Sequence, residues 1–318
     1  MWISPYKYVL SLGHLCSDIN QSILSAVLPF LIATYHYDYT TAAMLVTVSN
    51  VFGAFVQPFI GMLSDKKNKL LYMTLGVLLA SGGMAVTGFI SNFFGLCIVV
   101  IISGIGVVMF HPQAAKLVNS VSSKNAKGKG MSIFSFGGKV GFTLGPVYTA
   151  FLMNLFGMKG TILFLIPGIV FGIVCSFFNK DFENLDVLEV EKKEKVKSEQ
   201  KDDWSGFIKL CCVVFSRSIL SNGISTFLAF YFIQQFSKSN SFASMLLSVF
   251  YGIGSITLLG GGIADCFGHR KMVRLSFCIF LPAIFIFTNT SHFVIALIML
   301  IFMICGESLS YSPMVVLG

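Results

Sequence analysis

The residues with chemistry to offer are polar groups set inside long apolar runs. In the first run His14, Asp18, Gln21, Ser22 and Ser25 follow at spacings of four, three, one and three. On a helix they make one polar stripe. A buried acid in hydrocarbon is costly, so the stripe faces a wet cavity, or Asp18 is paired internally and only fixes helix packing. A later run presents Arg217, Ser221 and Ser225 at i, i+4 and i+8, with Ser218 and Asn222 beside them. An attraction between Asp18 and Arg217 could be broken by substrate or by a proton. Such pairing would bias the acid toward its charged form. The alternative for Arg217 is a purely structural ion pair. Phe110-His111-Pro112-Gln113 places a titratable ring at a proline break, where it either exchanges protons or is simply hydrogen-bonded. Glu307 stands one turn before Tyr311-Ser312-Pro313 and is a second intramembrane acid.

The elements that must position these groups are membrane helices. The chain has 318 residues, 55% hydrophobic and only 11% charged, against about 25% charged in an ordinary soluble domain. Apolar runs long enough to cross a bilayer recur throughout. The expected spans are 6–34, 41–63, 70–90, 93–118, 131–156, 159–179, 205–235, 242–263, 272–290 and 292–317. The cations behind the net charge of +8 are parcelled into short loops, nearly all on one side, with little more than Lys159 and Lys238 on the other, which argues for topology rather than nucleic acid. The positive-inside rule puts the N-terminus and the 180–204 loop in the cytoplasm. The eight cysteines show no CxxC or metal-ligand spacing and read as packing residues, with no metal expected. The first run is too long for a cleavable signal peptide.

The loop Gly61-Met-Leu-Ser-Asp65-Lys66 returns about 200 positions later as Gly261-Gly-Ile-Ala-Asp265, with Arg270 in the cation cluster that follows. Two copies at equal depth mean a duplicated membrane protein. The expected domains are a six-helix bundle over 1–179, a charged cytoplasmic linker over 180–204, and four helices over 205–318. By the symmetry of the repeat, two further helices are expected beyond Gly318. Gly137, Gly141 and Gly145, followed by Pro146, make a smooth face for tight helix contact. Lys139 on the same helix either snorkels toward the cytoplasm or serves function.

Together these motifs resemble the major facilitator superfamily, through the loop after helices 2 and 8 and the glycine-proline signature of helix 5. Asn68 stands where the first loop copy would have glycine, whereas Gly268 keeps it in the second. More narrowly, Gly13-His14-Leu-Cys-Ser-Asp18, Gln57-Pro58, Phe110-His111-Pro112 and Gly137-Gly138 look like the bacterial fosmidomycin-resistance exporter group; Lys139 departs from its neutral polar residue. The resemblance implies an all-α, two-bundle, inverted-repeat transporter of the bacterial inner membrane, monomeric and not an enzyme. It further implies proton-coupled drug efflux by alternating access, with Asp18, His14 and His111 handling the proton and no other cofactor. Gln21, Ser22, Arg217, Ser221, Asn222 and Glu307 would line the path of a small-molecule substrate. Other readings of the same fold are an importer or facilitator of a sugar or organic acid, or an inactive fragment.

Overall fold

The computed structural model describes residues 6–64, 69–121, 127–178, 204–254 and 268–317. Apolar segments in lipid satisfy their backbone by becoming helices, and ten α-helices run through the described residues. They are α1 Tyr6–Tyr35, α2 Tyr39–Ser64, α3 Lys69–Ala85, α4 Phe93–Val121, α5 Lys127–Phe156, α6 166–178, α7 Trp204–Phe236, α8 Asn240–Gly254, α9 His269–Asn289 and α10 Phe293–Leu317. The boundaries follow the hydropathy reading to within a few residues, with one departure. The helix expected from 159 opens as a 3-10 segment, Gly157–Leu165. Gly157 takes a φ of +57° and ends α5. Thr161 Oγ1 then accepts the Gly88 N–H at 3.1 Å and donates to the Ala85 carbonyl at 2.9 Å. Tertiary bonding to the loop after α3 thus overrides the local α preference.

Several expected features lie outside the described residues: Asp65, Lys66, Gly261 and Asp265 of the repeated loop, the 180–203 part of the linker, and the span beyond Gly254. Gly61 lies in the last turn of α2 and Arg270 in the first turn of α9.

The chain divides into two compact units, Met1–Lys197 and Ser198–Gly318. In the first, α1 is the buried post: it packs mainly on α5 and also on α3 and α4, while α2 and α3 pack on α4. In the second, α9 lies along α10, and α8 bridges α7 and α10. The duplication shows in the turns. His36 after α1 has φ +57° and Ser237 after α7 has φ +50°. Two residues later Asp38 Oδ1 accepts the Thr41 N–H at 2.9 Å, and Ser239 Oγ accepts the Phe242 N–H at 3.2 Å. Each is an N-cap satisfying an orphan donor of the next helix. The two turns stand about 200 residues apart, the interval of the repeated loop. Hydrogen bonds from the Thr41 side chain and backbone hold the Asp38 carboxyl below its ordinary range.

Candidate functional site

Residues four apart on a helix share a face, so α1 presents His14 directly to Asp18, with Nε2 3.2 Å from Oδ2. α4 brings His111 to the other carboxylate oxygen, Nε2 3.0 Å from Oδ1. Pro112 sits inside α4; its missing N–H and its ring disturb the preceding turn. There the Val107 carbonyl lies 3.0 Å from His111 Nδ1. His14 Nδ1 lies 2.8 Å from the Phe134 carbonyl of α5.

These partners decide the protonation chemistry. A carbonyl only accepts, so both Nδ1 atoms carry hydrogen. Each Nε2 is then a bare lone pair unless a second proton is present. A lone pair facing a carboxylate oxygen is repulsive, so each Nε2–oxygen contact calls for a proton on the ring or on the acid. Asp18 and the two rings thus form one acid–imidazole cluster. The side chains of Asp18, His14 and His111 are 5%, 13% and 35% exposed, so His111 is the open end. Phe134 stacks on His14 with ring centroids 4.0 Å apart, and the fully buried Phe110 ring lies beyond. Asp18 Oδ1, despite His111, has no aligned hydrogen bond.

α5 forms the floor. A Cβ on Gly137 would lie 2.1 Å from the Ser11 carbonyl, one on Gly141 2.4 Å from the Leu15 carbonyl, and one on Gly145 2.0 Å from Ser22 Oγ. This side of α5 touches α1 backbone to backbone, with Pro146 buried beside it. Gly138 differs. Its Cβ would meet Asp18 Oδ2 at 2.5 Å and His14 Nε2 at 2.6 Å, so the absence of a side chain lets the acid and the ring lie close against α5. In the sequence, the signal for a separate role of Gly138 is that it falls off the four-residue register of Gly137, Gly141 and Gly145. The Phe134 and Val107 carbonyls left no trace in the side-chain pattern.

The remaining candidates separate. Gln21 is exposed, whereas Ser22 is buried in the α1–α5 seam and donates to the Ile19 carbonyl at 3.0 Å. In the second unit Arg217 Nη2 bonds Glu307 Oε1, with both side chains mostly buried. Leu220, Ser276, Phe277, Phe280 and Gly306 line a small cleft around them. Asp18 and Arg217 thus each have an ionic partner inside their own unit. Ser221 is half-buried, and the exposed Asn222 turns its amide back to the Ser218 carbonyl at 2.9 Å. No metal-ligand spacing is visible in the sequence, yet the fold gathers ligand-type atoms of His14, Asp18 and His111 within 4.8 Å of one another. The reason is that His111 arrives from a different helix.

Helices of this length and apolarity define a multi-pass membrane protein. The family model of the Major Facilitator Superfamily matches residues 10–318, and the chain belongs to that family of transporters. It is 23% identical over 276 residues to the Fosmidomycin resistance protein of Escherichia coli (strain K12), covering 83% of this chain and 66% of the relative. It is 24% identical over 278 residues to the uncharacterized MFS-type transporter YfnC of Bacillus subtilis (strain 168), covering 85% and 68%. The chain spans about two thirds of the length of these curated relatives. Among solved structures it is similar to a bacterial homologue of the human lysosomal transporter Spinster, inward-facing and occupied. The TM-score is 0.82 at 16% identity, covering 98% of this chain and 73% of that one; this likeness concerns the fold. The family is one of membrane transporters, not of enzymes.

Proposed function

We propose that this transporter is a proton-coupled exporter of small molecules in the bacterial plasma membrane, working by alternating access with its N-terminus and 180–204 loop in the cytoplasm. The observation that carries the reading is the buried Asp18 carboxylate flanked by two imidazoles whose Nδ1 atoms are committed to carbonyls. Losing a proton from this site leaves a repulsive contact in a dry interior. Proton occupancy therefore carries conformational free energy, which coupling requires. His111, the most open of the three, is the natural port. The relative named for fosmidomycin resistance supports fosmidomycin as the probe. Arg217 offers a guanidinium suited to a phosphonate, and an anion would have to compete with Glu307 for it.

The test is fosmidomycin accumulation in bacterial cells expressing the chain, with and without an uncoupler. Expression should lower accumulation, the uncoupler should restore it, and Asp18→Asn at equal membrane abundance should behave as the uncoupler does. Full export by Asp18→Asn would remove the assignment. Export that ignores the uncoupler would remove the proton.

A further inference from the structure

We propose that His14, Asp18 and His111 form a binding site for a divalent transition-metal cation of the zinc class. The ligand set is two imidazole nitrogens and one carboxylate, a combination suited to Zn²⁺ or Co²⁺ rather than to the all-oxygen shells of Mg²⁺ and Ca²⁺. Both rings already have the outer-shell arrangement of metal-bound histidine: Nδ1 faces a backbone carbonyl at 2.8 Å for His14 and 3.0 Å for His111. This fixes the tautomer that turns the Nε2 lone pair toward the ion. Both Nε2 atoms converge on the one carboxylate, at 3.2 and 3.0 Å. The two contacts are to different oxygens, Oδ2 for His14 and Oδ1 for His111, so they are edges of a site in which the carboxylate offers both oxygens to one ion, with metal–ligand bonds of about 2.0–2.2 Å. The third edge, between the rings, lies within 4.8 Å and has to close as the ion enters.

Two further observations bear on a ligand. Asp18 Oδ1 is buried, and its 3.0 Å contact with His111 Nε2 is not an aligned hydrogen bond, so a cation between the two atoms would satisfy both. Gly138 lies close over two of the three ligand atoms: a Cβ there would lie 2.5 Å from Asp18 Oδ2 and 2.6 Å from His14 Nε2, so the absence of a side chain lets both atoms keep these places. Charge also favours a divalent ion. With neutral rings the site is a single negative charge in an apolar setting, and the ion turns it to a single positive one. That is the same net charge as two imidazolium rings around the carboxylate, so one ion replaces two protons without adding buried charge. The fourth position is left for water or for a donor atom on a substrate, as in three-ligand zinc sites. The inference stands on ligand geometry and does not need the export reading.

The test uses the purified full chain in detergent micelles. Co²⁺ is added and its visible d–d absorption followed, then Zn²⁺ binding is measured by equilibrium dialysis with Mg²⁺ in excess. The expected result is one ion per chain with a tetrahedral-type cobalt spectrum that zinc abolishes. Asp18→Asn, His14→Gln and His111→Gln should each weaken binding at least about tenfold, while the double variant of the exposed His36 and His292, each changed to Gln, should bind as the parent does. Gly138→Ala keeps every ligand and crowds the site, so weaker binding is expected there even if a ligand variant fails to fold. Absence of stoichiometric binding would overturn the proposal, as would binding indifferent to the triad and Gly138 or lost with His36 and His292. Zinc binding without fosmidomycin export, or export without zinc binding, would separate this inference from the proposed function.

Discussion

At the scale of single residues, two adjacent glycine roles can be told apart by what an added methyl would strike. At Gly141 it strikes the Leu15 backbone carbonyl at 2.4 Å, and main chain cannot step aside without spreading α1 from α5. At Gly138 it strikes the tips of two side chains, which can turn away at the expense of their mutual geometry. Gly141→Ala is therefore expected to cost about 1–3 kcal/mol of stability, visible as a lower thermal midpoint in detergent. Gly138→Ala should leave that midpoint nearly unchanged and depress export. The reverse pattern would show that Gly138 is a packing residue and Gly141 is not. The site itself was partly legible. His14 and Asp18 announce themselves by their spacing of four, because a helix fixes which residues meet along it. His111 was recognisable as a titratable ring at a proline break, but its place on Asp18 depends on how α4 crosses α1, and no local pattern encodes that. Linear reading equally could not choose among several opposite charges for Arg217. The sequence reading set Arg217 against Asp18, and the fold places Glu307 on Arg217 within the second unit.

At the scale of the element, helix existence follows from apolar length, and the ends follow from caps. Asp38 begins α2 by accepting the Thr41 N–H. Its folded-state acidity is increased by the Thr41 hydrogen bonds, so its contribution to stability is present above the ordinary carboxyl value. That contribution fades as the pH falls through the lower folded value. Asp38→Ala should lower the thermal midpoint slightly at neutral pH, and the gap between variant and parent should close in strong acid. A gap that persists or widens there would show that the cap acts through something other than its charge. The helix that sequence read as continuous from 159 was illegible for a different reason. Its first turns are tightened by Thr161, whose partners Ala85 and Gly88 are distant in the chain, so local propensity held no record of them.

At the scale of the whole molecule, the repeat was legible because duplicated topology leaves duplicated punctuation: the loop glycines at 61 and 261, and the left-handed residues at 36 and 237. The second unit rests on an ion pair, Arg217–Glu307, with both side chains mostly buried. A buried pair is costly to break and much less costly to replace as a whole. Arg217→Met or Glu307→Leu alone should destabilise by about 3–5 kcal/mol, and the double replacement should recover most of it. A double variant as unstable as the sum of the singles would show that the two act independently.

The α1–α5 seam has one more consequence. Ser11 Oγ donates to the Ile133 carbonyl at 2.8 Å, and His14 Nδ1 lies 2.8 Å from the Phe134 carbonyl. These are the acceptors whose own helical donors are Gly137 and Gly138, so the glycines uncover just the two carbonyls that α1 uses. Side chains fastened to consecutive carbonyls index one helix on the other, because the next available pair is displaced by about 1.5 Å and turned by about 100°. The two contacts thus hold α1 and α5 in one register, with His14 seated on Phe134 while it faces Asp18.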